Sequence, residues 1–525
     1  MELFWPDNLV VLLMYSAILL CVWAFLLHTA NICWFRPRKI NSMLHKQGIA
    51  GPPPRFLLGN LLDMKKIKEE FMEKSPHNTG ITSVRHDIGP LLFPHFVQWS
   101  RVYGKTFVFW LGTEPFLYVR DPELFKKTSL SRSLDWGKPD VLKNDKVSLF
   151  GNGLIMADGK DWAHHRRIVS PAFHMDKIKG MIGDMVESTI PMLERWRNTV
   201  IGGGGSADID IDEDITKVTA DIIAKTSFGT SYEKGKQVFA SLRTLQYFLY
   251  KPNRFLGVPG SRFINGKVHS TAKKLGEETD KLLMSIITAR RKLQSSGDFG
   301  NDLLGLILAE NESDEGKQKL TTRDLMDECK TFFVAGHEST AMSAMWTMML
   351  LSLNPNWQER VRTEVMEITQ GRIPDAEMLF KMKNMSMVLS ESMRLYPAAS
   401  YTLRQAKQDM QMGDILVPKG TSVWFDILGL HHDPDLWGAD VNEFKPERFE
   451  LGISNACNHS MSFLPFGFGQ RVCVAQNMAN IEVRLIMSMV LSKFRFSLSP
   501  TYCHSPINVP NLKPSQGMPL VFECL

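Results

Sequence analysis

The chain begins with a long apolar stretch that carries no charge. From Leu9 to Leu27 there are 19 consecutive uncharged residues, and the stretch continues without charge to Phe35. A helix of this length spans about 28 Å, which nearly crosses the hydrocarbon core of a bilayer. The pattern therefore predicts one N-terminal transmembrane helix, with residues 1–35 as a membrane anchor.

The residues that flank this stretch favour a retained anchor over the alternative, a cleaved signal peptide. Glu2 and Asp7 precede it, whereas a signal peptide usually begins with basic residues and has a shorter apolar core. Arg36, Arg38 and Lys39 follow it. By the positive-inside rule, the chain after the stretch then faces the cytosol.

Beyond the anchor, the pattern predicts a connector and one globular body. The connector covers residues 36–54 and is basic and rich in proline, and its Gly-Pro-Pro-Pro at 51–54 is too stiff for a helix. The body covers residues 55–525. Short apolar runs at 106–110 and 116–119 predict a small sheet, and most of the remaining pattern is helical. The predicted fold class is mainly α with small β-sheets (α+β).

One predicted helix is long enough to cross the whole body. It begins near Thr321 or Thr322 and stops at Asn354-Pro355, a length of about 45 Å. Glycine inside a helix costs about 1 kcal/mol relative to alanine, so Gly336 in its middle needs a reason. Either the helix packs tightly there, or a notch lies beside a bound ligand.

Composition and charge narrow the classes of function. The 525 residues, 44% of them apolar, can bury a large core. The 61 basic and 56 acidic residues give a net charge of +5, and no basic run alternates with aromatic residues, so no nucleic-acid partner is expected. The seven cysteines are scattered without a Cys-x-x-Cys pair, which argues against a disulfide framework or a zinc finger.

One cysteine lies between a glycine-rich loop and an apolar, helix-patterned segment. Residues 465–475 read PFGFGQRVCVA. Gly467 and Gly469 allow close backbone approach to a flat ligand, and Arg471 supplies a cation for a carboxylate. Cys473 falls where helix N–H groups stabilise a thiolate. This geometry suits haem iron with a cysteine axial ligand, although a lone cysteine is more often a small buried hydrophobic residue.

The loop resembles the haem-binding signature of the cytochrome P450 superfamily, Phe-x-x-Gly-x-Arg-x-Cys-x-Gly. Phe466, Gly469, Arg471 and Cys473 match it, and Ala475 stands where the family usually has glycine. The resemblance implies the P450 fold, haem b as the cofactor and Cys473 as the thiolate ligand of its iron. Alanine for glycine is a small change in helix packing and does not remove a ligand.

A second resemblance lies in the middle of the long helix. Residues 335–340, AGHEST, are similar to the family's oxygen-activation motif Ala-Gly-x-(Asp/Glu)-Thr-Thr. The resemblance implies that Glu338 and Ser339 organise water and deliver protons for O–O cleavage. Ser339 departs from the usual threonine: it keeps the hydroxyl but lacks the β-methyl that restricts the rotamer. Thr340 follows and is expected to point elsewhere, because neighbours on a helix do not share a face.

Further basic residues match the family in the same order along the chain. Trp162 and Arg166 fit a Trp-x-x-x-Arg spacing, one helical turn apart, and Arg404 follows later. The resemblance implies that these residues and Arg471 hold the haem propionates, whereas each arginine alone would be read as a solvated surface charge. The histidines at 164 and 165 need not be iron ligands. The resemblance also implies a buried network that fixes the core beneath the haem, formed by Glu391, Arg394 and Arg448.

The overall resemblance is to the plant clan that includes the P450 family numbered seventy-two, with cytokinin hydroxylases and gibberellin-modifying enzymes among its members. It implies an endoplasmic-reticulum protein, anchored by one span in membrane lipid, that inserts one atom of O2 into a C–H bond. The substrate would be an apolar small molecule of gibberellin, cytokinin or brassinosteroid type, contacted by residues 332–335 and 398–401. The chain has no Rossmann or flavin fingerprint, so NADPH electrons would come through a separate flavoprotein reductase.

Two alternatives remain open. A haem-thiolate isomerase or dehydratase would use the same iron and cysteine without oxygen activation, and the departure at Ser339 leaves room for it. A non-catalytic anchored haem-binding protein is the other, although a complete thiolate site would then serve no reaction.

Overall fold

The computed structural model describes residues 7–74, 84–131, 135–229, 232–250, 255–261, 266–293, 300–313 and 318–525. The acidic residue predicted to precede the span, Glu2, and the first residues of the predicted anchor lie outside these ranges.

The fold is mainly helical, as the sequence predicts. The helices, numbered in chain order, are α1 Asp7–Ala30, α2 Arg36–His45, α3 Leu61–Lys74, α4 Gly89–Leu92, α5 Pro94–Tyr103, α6 Pro122–Leu130, α7 Asp140–Phe150, α8 Gly159–Val169, α9 Met175–Gly202, α10 Ile211–Phe228, α11 Tyr232–Leu249, α12 Gly266–Leu293, α13 Leu303–Ser313, α14 Thr322–Leu353, α15 Pro355–Thr369, α16 Ala376–Lys381, α17 Lys383–Leu395, α18 Ile427–His431, α19 Pro434–Trp437 and α20 Gln476–Leu491.

The strands form small sheets around this helical body. They are β1 Thr106–Leu111, β2 Glu114–Val119, β3 Trp136–Gly137, β4 Ser206–Asp210, β5 Tyr401–Ala406, β6 Met410–Met412, β7 Ile415–Val417, β8 Ser422–Asp426, β9 Phe494–Leu498, β10 Pro506–Asn508, β11 Leu512–Pro514 and β12 Pro519–Cys524. The largest sheet has the order β1-β2-β8-β5-β3. Its first two strands are the pair predicted at 106–110 and 116–119, joined in antiparallel register. The other sheets are β4-β12-β9, β6-β7 and β10-β11.

Helix α14 is the predicted long helix, and it crosses the centre of the body. A capping box between Thr321 and Asp324 begins it, because each side chain bonds the other residue's backbone N–H, and it ends at Leu353 before Asn354. Most of its residues are buried, since α14 packs against α10, α11, α17 and α20 and lies inside the largest apolar cluster. A helix enclosed in this way places its middle residues at the centre of the molecule.

The N-terminal helices form one continuous rod. Helix α1 has an apolar, unburied segment long enough to cross a membrane. It runs through a short π-helical turn, Asn31–Phe35, directly into α2. The Arg36 N–H bonds to the Asn31 carbonyl, five residues back. The wider turn precedes Pro37, which has no N–H to continue the regular ladder.

The first part of the predicted 36–54 connector is therefore a helix that docks on the body. Ile40 and Leu44, one turn apart on α2, are buried in an apolar cluster that includes residues of β1, β2 and β8. Arg36 donates to the Glu114 carboxylate at 3.4 and 3.5 Å and to the Gly420 carbonyl at 3.3 Å. Only the later residues, including 51–54, are extended as predicted. The basic residues concealed the i, i+4 apolar pair that forms this helix.

Candidate active site

An interior cavity of about 540 Å³ lies between the cysteine loop and the middle of α14. Most of its wall is apolar. Eight of the ten residues predicted for the site line it directly: Trp162, Arg166, Ser339, Thr340, Arg404, Phe466, Arg471 and Cys473. Two others, Gly469 and Glu338, lie outside the lining. The fold thus brings together segments that are more than 300 positions apart in the chain.

The cysteine loop is held by its own backbone. The Cys473 N–H bonds to the Phe466 carbonyl at 2.9 Å, and Gly467 and Gly469 have φ values of 72° and 73°, which favour glycine. A Cβ on Gly469 would stand 2.3 Å from the Ser129 carbonyl oxygen. Gly469 is therefore needed for packing against the end of α6, whereas Gly467 is the glycine that faces the cavity.

The sulfur of Cys473 faces the cavity just before α20. The residue has accessible surface, but that surface is part of the interior wall, so the thiol is desolvated. Burial raises the pKa of Cys473, and a hydrogen bond from the Ala475 backbone and the charge of Arg166 act in the opposite direction. A desolvated sulfur with an N–H donor and a guanidinium beside it is suited to bind a metal as thiolate.

Trp162 and Arg166 of α8 lie against the cysteine loop. Arg166 donates from Nη1 to the Val472 carbonyl at 2.7 Å. The Arg471 guanidinium lies over the Trp162 ring, 4.6 Å from its centroid, and donates to the Ala157 carbonyl at 2.9 Å. The second terminal nitrogen of Arg471, Nη2, is buried without a hydrogen-bond partner, which leaves a donor available to a ligand.

Two more cations, Lys138 and Arg404, line the same cavity as Arg471. Burial lowers the pKa of Arg471 to about 10, and burial with the Arg471 charge lowers that of Arg404 to about 9. Burial and both arginines hold the pKa of Lys138 well below its usual value. Asp158, 3.8 Å from Arg471, offsets these charges but also pairs with Lys143 at 2.9 Å. Basic groups therefore outnumber acidic groups on this part of the cavity wall.

These observations fit the predicted haem. The sulfur on one wall can ligate the iron, the apolar wall suits the porphyrin, and the excess of cations with an orphaned guanidinium donor suits its two carboxylates. Lys138 was missed by the sequence reasoning because it comes from the segment before α7, which carries no motif of its own.

The middle of α14 forms the opposite wall. Its cavity-lining residues include Ala335, Gly336, Ser339, Thr340 and Ser343. The expectation that Thr340 points elsewhere than Ser339 is therefore wrong, because the cavity is wide enough to meet both positions of the helix. A Cβ on Gly336 would stand 2.9 Å from Cδ1 of Ile223 on α10, and Ile223 itself lines the cavity. Both interpretations of this glycine therefore hold: the helix packs tightly, and the contact borders the ligand space.

The hydroxyls of α14 bond back to the helix. Ser339 Oγ donates to the Ala335 carbonyl at 2.7 Å, and Thr340 Oγ1 donates to the Gly336 carbonyl at 2.9 Å. Ser343 Oγ donates to the Ser339 carbonyl at 3.1 Å. Each hydroxyl oxygen keeps lone pairs that can accept a hydrogen bond from water in the cavity.

Glu338 points away from the cavity. Its Oε2 accepts from Gln246 at 2.6 Å and from Asn511 at 2.9 Å, and Lys513 lies 3.7 Å from Oε1. Burial raises the pKa of Glu338, although Lys513 and both amides act against this. Asn511 lines the cavity, so it connects the carboxylate to the cavity wall. The acid and Ser339 therefore do not form a directly adjacent pair.

The predicted substrate contacts divide between the cavity and the core. Phe332, Val334 and Ala335 line the cavity, as do all four residues at 398–401. Phe333 instead stacks on Phe228, with centroids 5.0 Å apart. It points away because it lies on the α10 side of the helix.

A buried acid, Glu482 of α20, lines the cavity but escaped the sequence reasoning. Its side chain is 3% exposed, and its Oε1 has no hydrogen-bond partner. Burial raises its pKa well above the usual value, which favours the neutral form of the carboxyl group. A single acid within an otherwise apolar helix was the signal that could have identified it.

The predicted network beneath the cavity is confirmed. Arg394 donates to both oxygens of Glu391 at 2.7 and 2.8 Å, and Arg448 lies 3.5 Å from Glu391. Glu391 and Arg394 are completely buried. The two histidines of α8, between Trp162 and Arg166, do not line the cavity. His165 bonds to Glu328 of α14, and His164 bonds to Arg167.

Comparisons with known proteins agree with this geometry. The family model described as Cytochrome P450 matches residues 83–519. A cytokinin hydroxylase of Arabidopsis thaliana is 40% identical over 504 residues, covering 95% of this chain and 96% of that protein. Cytochrome P450 714C2 of Oryza sativa subsp. japonica is 38% identical over 525 residues, covering 100% of both chains. Among solved structures, the cytochrome P450DA heme domain matches with a TM-score of 0.71 and 23% identity over 86% of this chain and 98% of that chain.

Proposed function

Because the chain belongs to the cytochrome P450 family of haem-thiolate monooxygenases, we propose that it hydroxylates a plant hormone of the cytokinin class. The observation that carries this proposal is the cavity between Cys473 and α14, together with similarity over nearly the whole chain to a cytokinin hydroxylase. We further propose that the enzyme is anchored in the endoplasmic reticulum by α1, with residues 36–54 as the connection and residues 55–525 as the catalytic body in the cytosol.

Haem b, when bound, supplies the iron at which O2 is activated with electrons passed from NADPH by a flavoprotein reductase, so that one oxygen atom enters a C–H bond. Cys473 would ligate the iron through its thiolate. Trp162, Arg166, Arg404 and Arg471, with Lys138, would hold its carboxylates, and Phe466 would border the ring.

Residues of α14 would supply the protons that the reaction consumes. The Ser339 hydroxyl faces the cavity and accepts a hydrogen bond from water there, while its own proton is held by the Ala335 carbonyl. Thr340 offers a second hydroxyl one position further on. Glu338 reaches this space only through Asn511, at 2.9 Å, and therefore serves as a proton reservoir behind the wall rather than as a direct donor.

A second substrate class, the gibberellins, is favoured by one observation. Lys146 of α7 lines the cavity, is 6% exposed, and has its ammonium 3.8 Å from the centroid of the Tyr250 ring. Asp145 lies 3.0 Å from it. The Lys146 ammonium also donates to the Leu249 carbonyl. A gibberellin acid, unlike a cytokinin, has a carboxylate that would share this buried ammonium with Asp145.

The test is turnover of a panel of cytokinins, gibberellins and brassinosteroids by the full-length protein with reductase and NADPH. We expect one hydroxylated product per O2 consumed, and hydroxylated cytokinins would support the first proposal. If gibberellins are the substrates instead, Lys146→Met should lower kcat/KM for the acid by about tenfold or more. Product formed without the reductase would favour the isomerase alternative.

Cys473→Ser is the control for the metal site. The variant should lose the thiolate-type spectrum of the reduced, CO-bound protein, because a serine hydroxyl does not ionise to replace the sulfur. An unchanged spectrum would mean that another residue ligates the iron.

A further inference from the structure

A second cleft lies beside the docked end of the anchor helix, away from the active-site cavity. It has a volume of about 530 Å³ and runs between one face of α2 and the body. Polar side chains from the α2 side line it, namely Arg38, Asn41, Ser42, His45 and Lys46, and Trp110 of β1 lines the body side.

The chemistry of this cleft suits an anion. Arg38 and Lys46 carry positive charge, and Ser42 and Asn41 offer further donors. Trp110 is 1% exposed, and its indole N–H is buried without a hydrogen-bond partner. None of the residues that line the cleft is acidic. Glu114 of β2, the acid that contacts the start of α2, is paired with Arg36.

The position of the cleft identifies the source of the anion. Trp34, Phe35 and Phe56 are 42%, 59% and 62% exposed at the point where the apolar helix meets the body. Trp34 and Phe56 contact each other edge to face at 5.9 Å, and the Arg38 guanidinium lies 3.4 Å from the Trp34 ring centroid. Exposed aromatic residues of this kind settle at the level of lipid headgroups. The cleft begins just beyond them.

The length of the cleft limits which headgroup fits. Arg38 and Lys46 are eight positions apart, which along a helix corresponds to about 12 Å. A single phosphodiester at the membrane surface reaches the Arg38 end alone. A headgroup with a second anionic group further from the membrane can reach both ends.

We propose that this cleft binds the headgroup of a phosphorylated phosphoinositide, with the phosphodiester at Arg38 and the ring phosphate at Lys46 and His45. This inference rests on the proposed membrane anchoring and adds a specific lipid partner to it. Bound lipid would brace α2 against the body, because the headgroup touches both.

The test uses the full-length, haem-loaded protein in detergent with a fluorescent dioctanoyl phosphatidylinositol monophosphate as the probe. Arg38→Gln and Lys46→Gln should each weaken probe binding by about tenfold. Lys39→Gln is the matched control: it removes the same charge from the same helix but lies outside the cleft, and it should change binding less than twofold. Unlabelled phosphatidylinositol, which lacks the ring phosphate, should compete poorly.

Each other outcome overturns the proposal. Equal weakening by Lys39→Gln would mean that the basic segment attracts anions without a site. If inorganic phosphate displaces the probe at the same concentration as unlabelled dioctanoyl phosphatidylinositol monophosphate does, the cleft is a site for free phosphate. Resistance of the wild-type protein to extraction from membranes by alkaline carbonate is measured in parallel. Extraction would disprove the anchor itself, whereas retention without probe binding would disprove only the lipid site.

Discussion

Ser339 is the position where this chain departs most from its family's oxygen-activation motif, and its hydroxyl lines the cavity. Ser339→Ala should leave haem and substrate binding nearly normal but divert electrons to hydrogen peroxide, because a water that donates to this hydroxyl oxygen would lose its anchor. Ser339→Thr should keep or improve coupling, because the β-methyl restricts the rotamer. The measurement is product formed and peroxide released per NADPH consumed.

Thr340→Ala is the matched comparison for that experiment. Both hydroxyls line the cavity and both bond back to the helix, at 2.7 Å for Ser339 and 2.9 Å for Thr340. We expect the smaller effect at Thr340. Full coupling in Ser339→Ala with uncoupling in Thr340→Ala would mean that the threonine is the catalytic hydroxyl.

Glu482 should make the protein less stable as the pH rises. Because burial raises the pKa of this acid well above 4.5, the folded state holds a proton that the unfolded state releases. The stabilisation is complete below the unfolded pKa and is lost as the pH rises towards the folded pKa. Glu482→Gln should therefore lose less thermal stability than the wild type as the pH rises above 4.5, the ordinary pKa of the acid. Exposed Glu450→Gln is the control, and equal pH dependence in all three proteins would contradict the assignment.

Local sequence predicted the residues whose roles depend on a single loop or one helical turn. Cys473 and Arg471 belong to one loop, and Trp162 and Arg166 to one turn, so spacing alone was sufficient to group them. The direction of Glu338 depends on how α14 is rotated in the core, and Lys138 reaches the site from a different segment. A local sequence pattern predicts neither the rotation of α14 in the core nor the position of the segment that carries Lys138.

Helices α8 and α14 are joined by a buried contact between His165 and Glu328. His165 Nδ1 lies 2.5 Å from Glu328 Oε1, and the two residues are 2% and 1% exposed. The hydrogen bond raises the pKa of His165 against the effect of burial. His165 is adjacent to Arg166, and Glu328 lies about two turns before the AGHEST motif. The contact therefore links α8, which we propose holds the haem carboxylates, to α14, which we propose supplies protons.

His165→Ala should release haem about tenfold faster to an apoprotein acceptor, because α8 loses a charge-assisted bond. Glu328→Gln should release haem at an intermediate rate, since the amide oxygen still accepts from the imidazole but carries no charge. His164→Ala is the matched control, because that ring bonds to Arg167 within α8 itself. Equal haem loss from the two alanine variants would show that the contact does not position α8.

The long helix and the docked helix show what element patterns can predict. The bounds of α14 followed from a capping residue and a proline, which act locally. The helix α2 was missed because Pro37 and the basic residues are usual in a connector. Its stability comes from burial of Ile40 and Leu44 against a sheet, a contact between distant segments that a linear pattern does not contain.

Removal of residues 1–35 should leave haem incorporation intact and weaken membrane retention, because α2 keeps its contacts with the body. Removal of residues 1–50 should in addition destabilise the body by on the order of 5 kcal/mol, since three buried side chains, Ile40, Leu44 and Ile49, are lost. Haem content, membrane sedimentation and chemical denaturation of both truncated proteins provide the check. Loss of haem from the shorter deletion would mean that the span is part of the fold.

Helix α1 continues without a break into α2, which is docked on the body. The rotation of the catalytic body about the axis of α1 is therefore fixed. In a regular helix each residue turns the chain by about 100°. A single alanine inserted after Ala30 would therefore swing the whole body around the membrane normal without altering its fold. A reductase confined to the same membrane surface would then meet a different side of the enzyme, and electron transfer would slow although every haem contact is unchanged. In the proposed membrane-anchored enzyme, α1 would therefore set the orientation of the body about the membrane normal as well as hold it at the membrane.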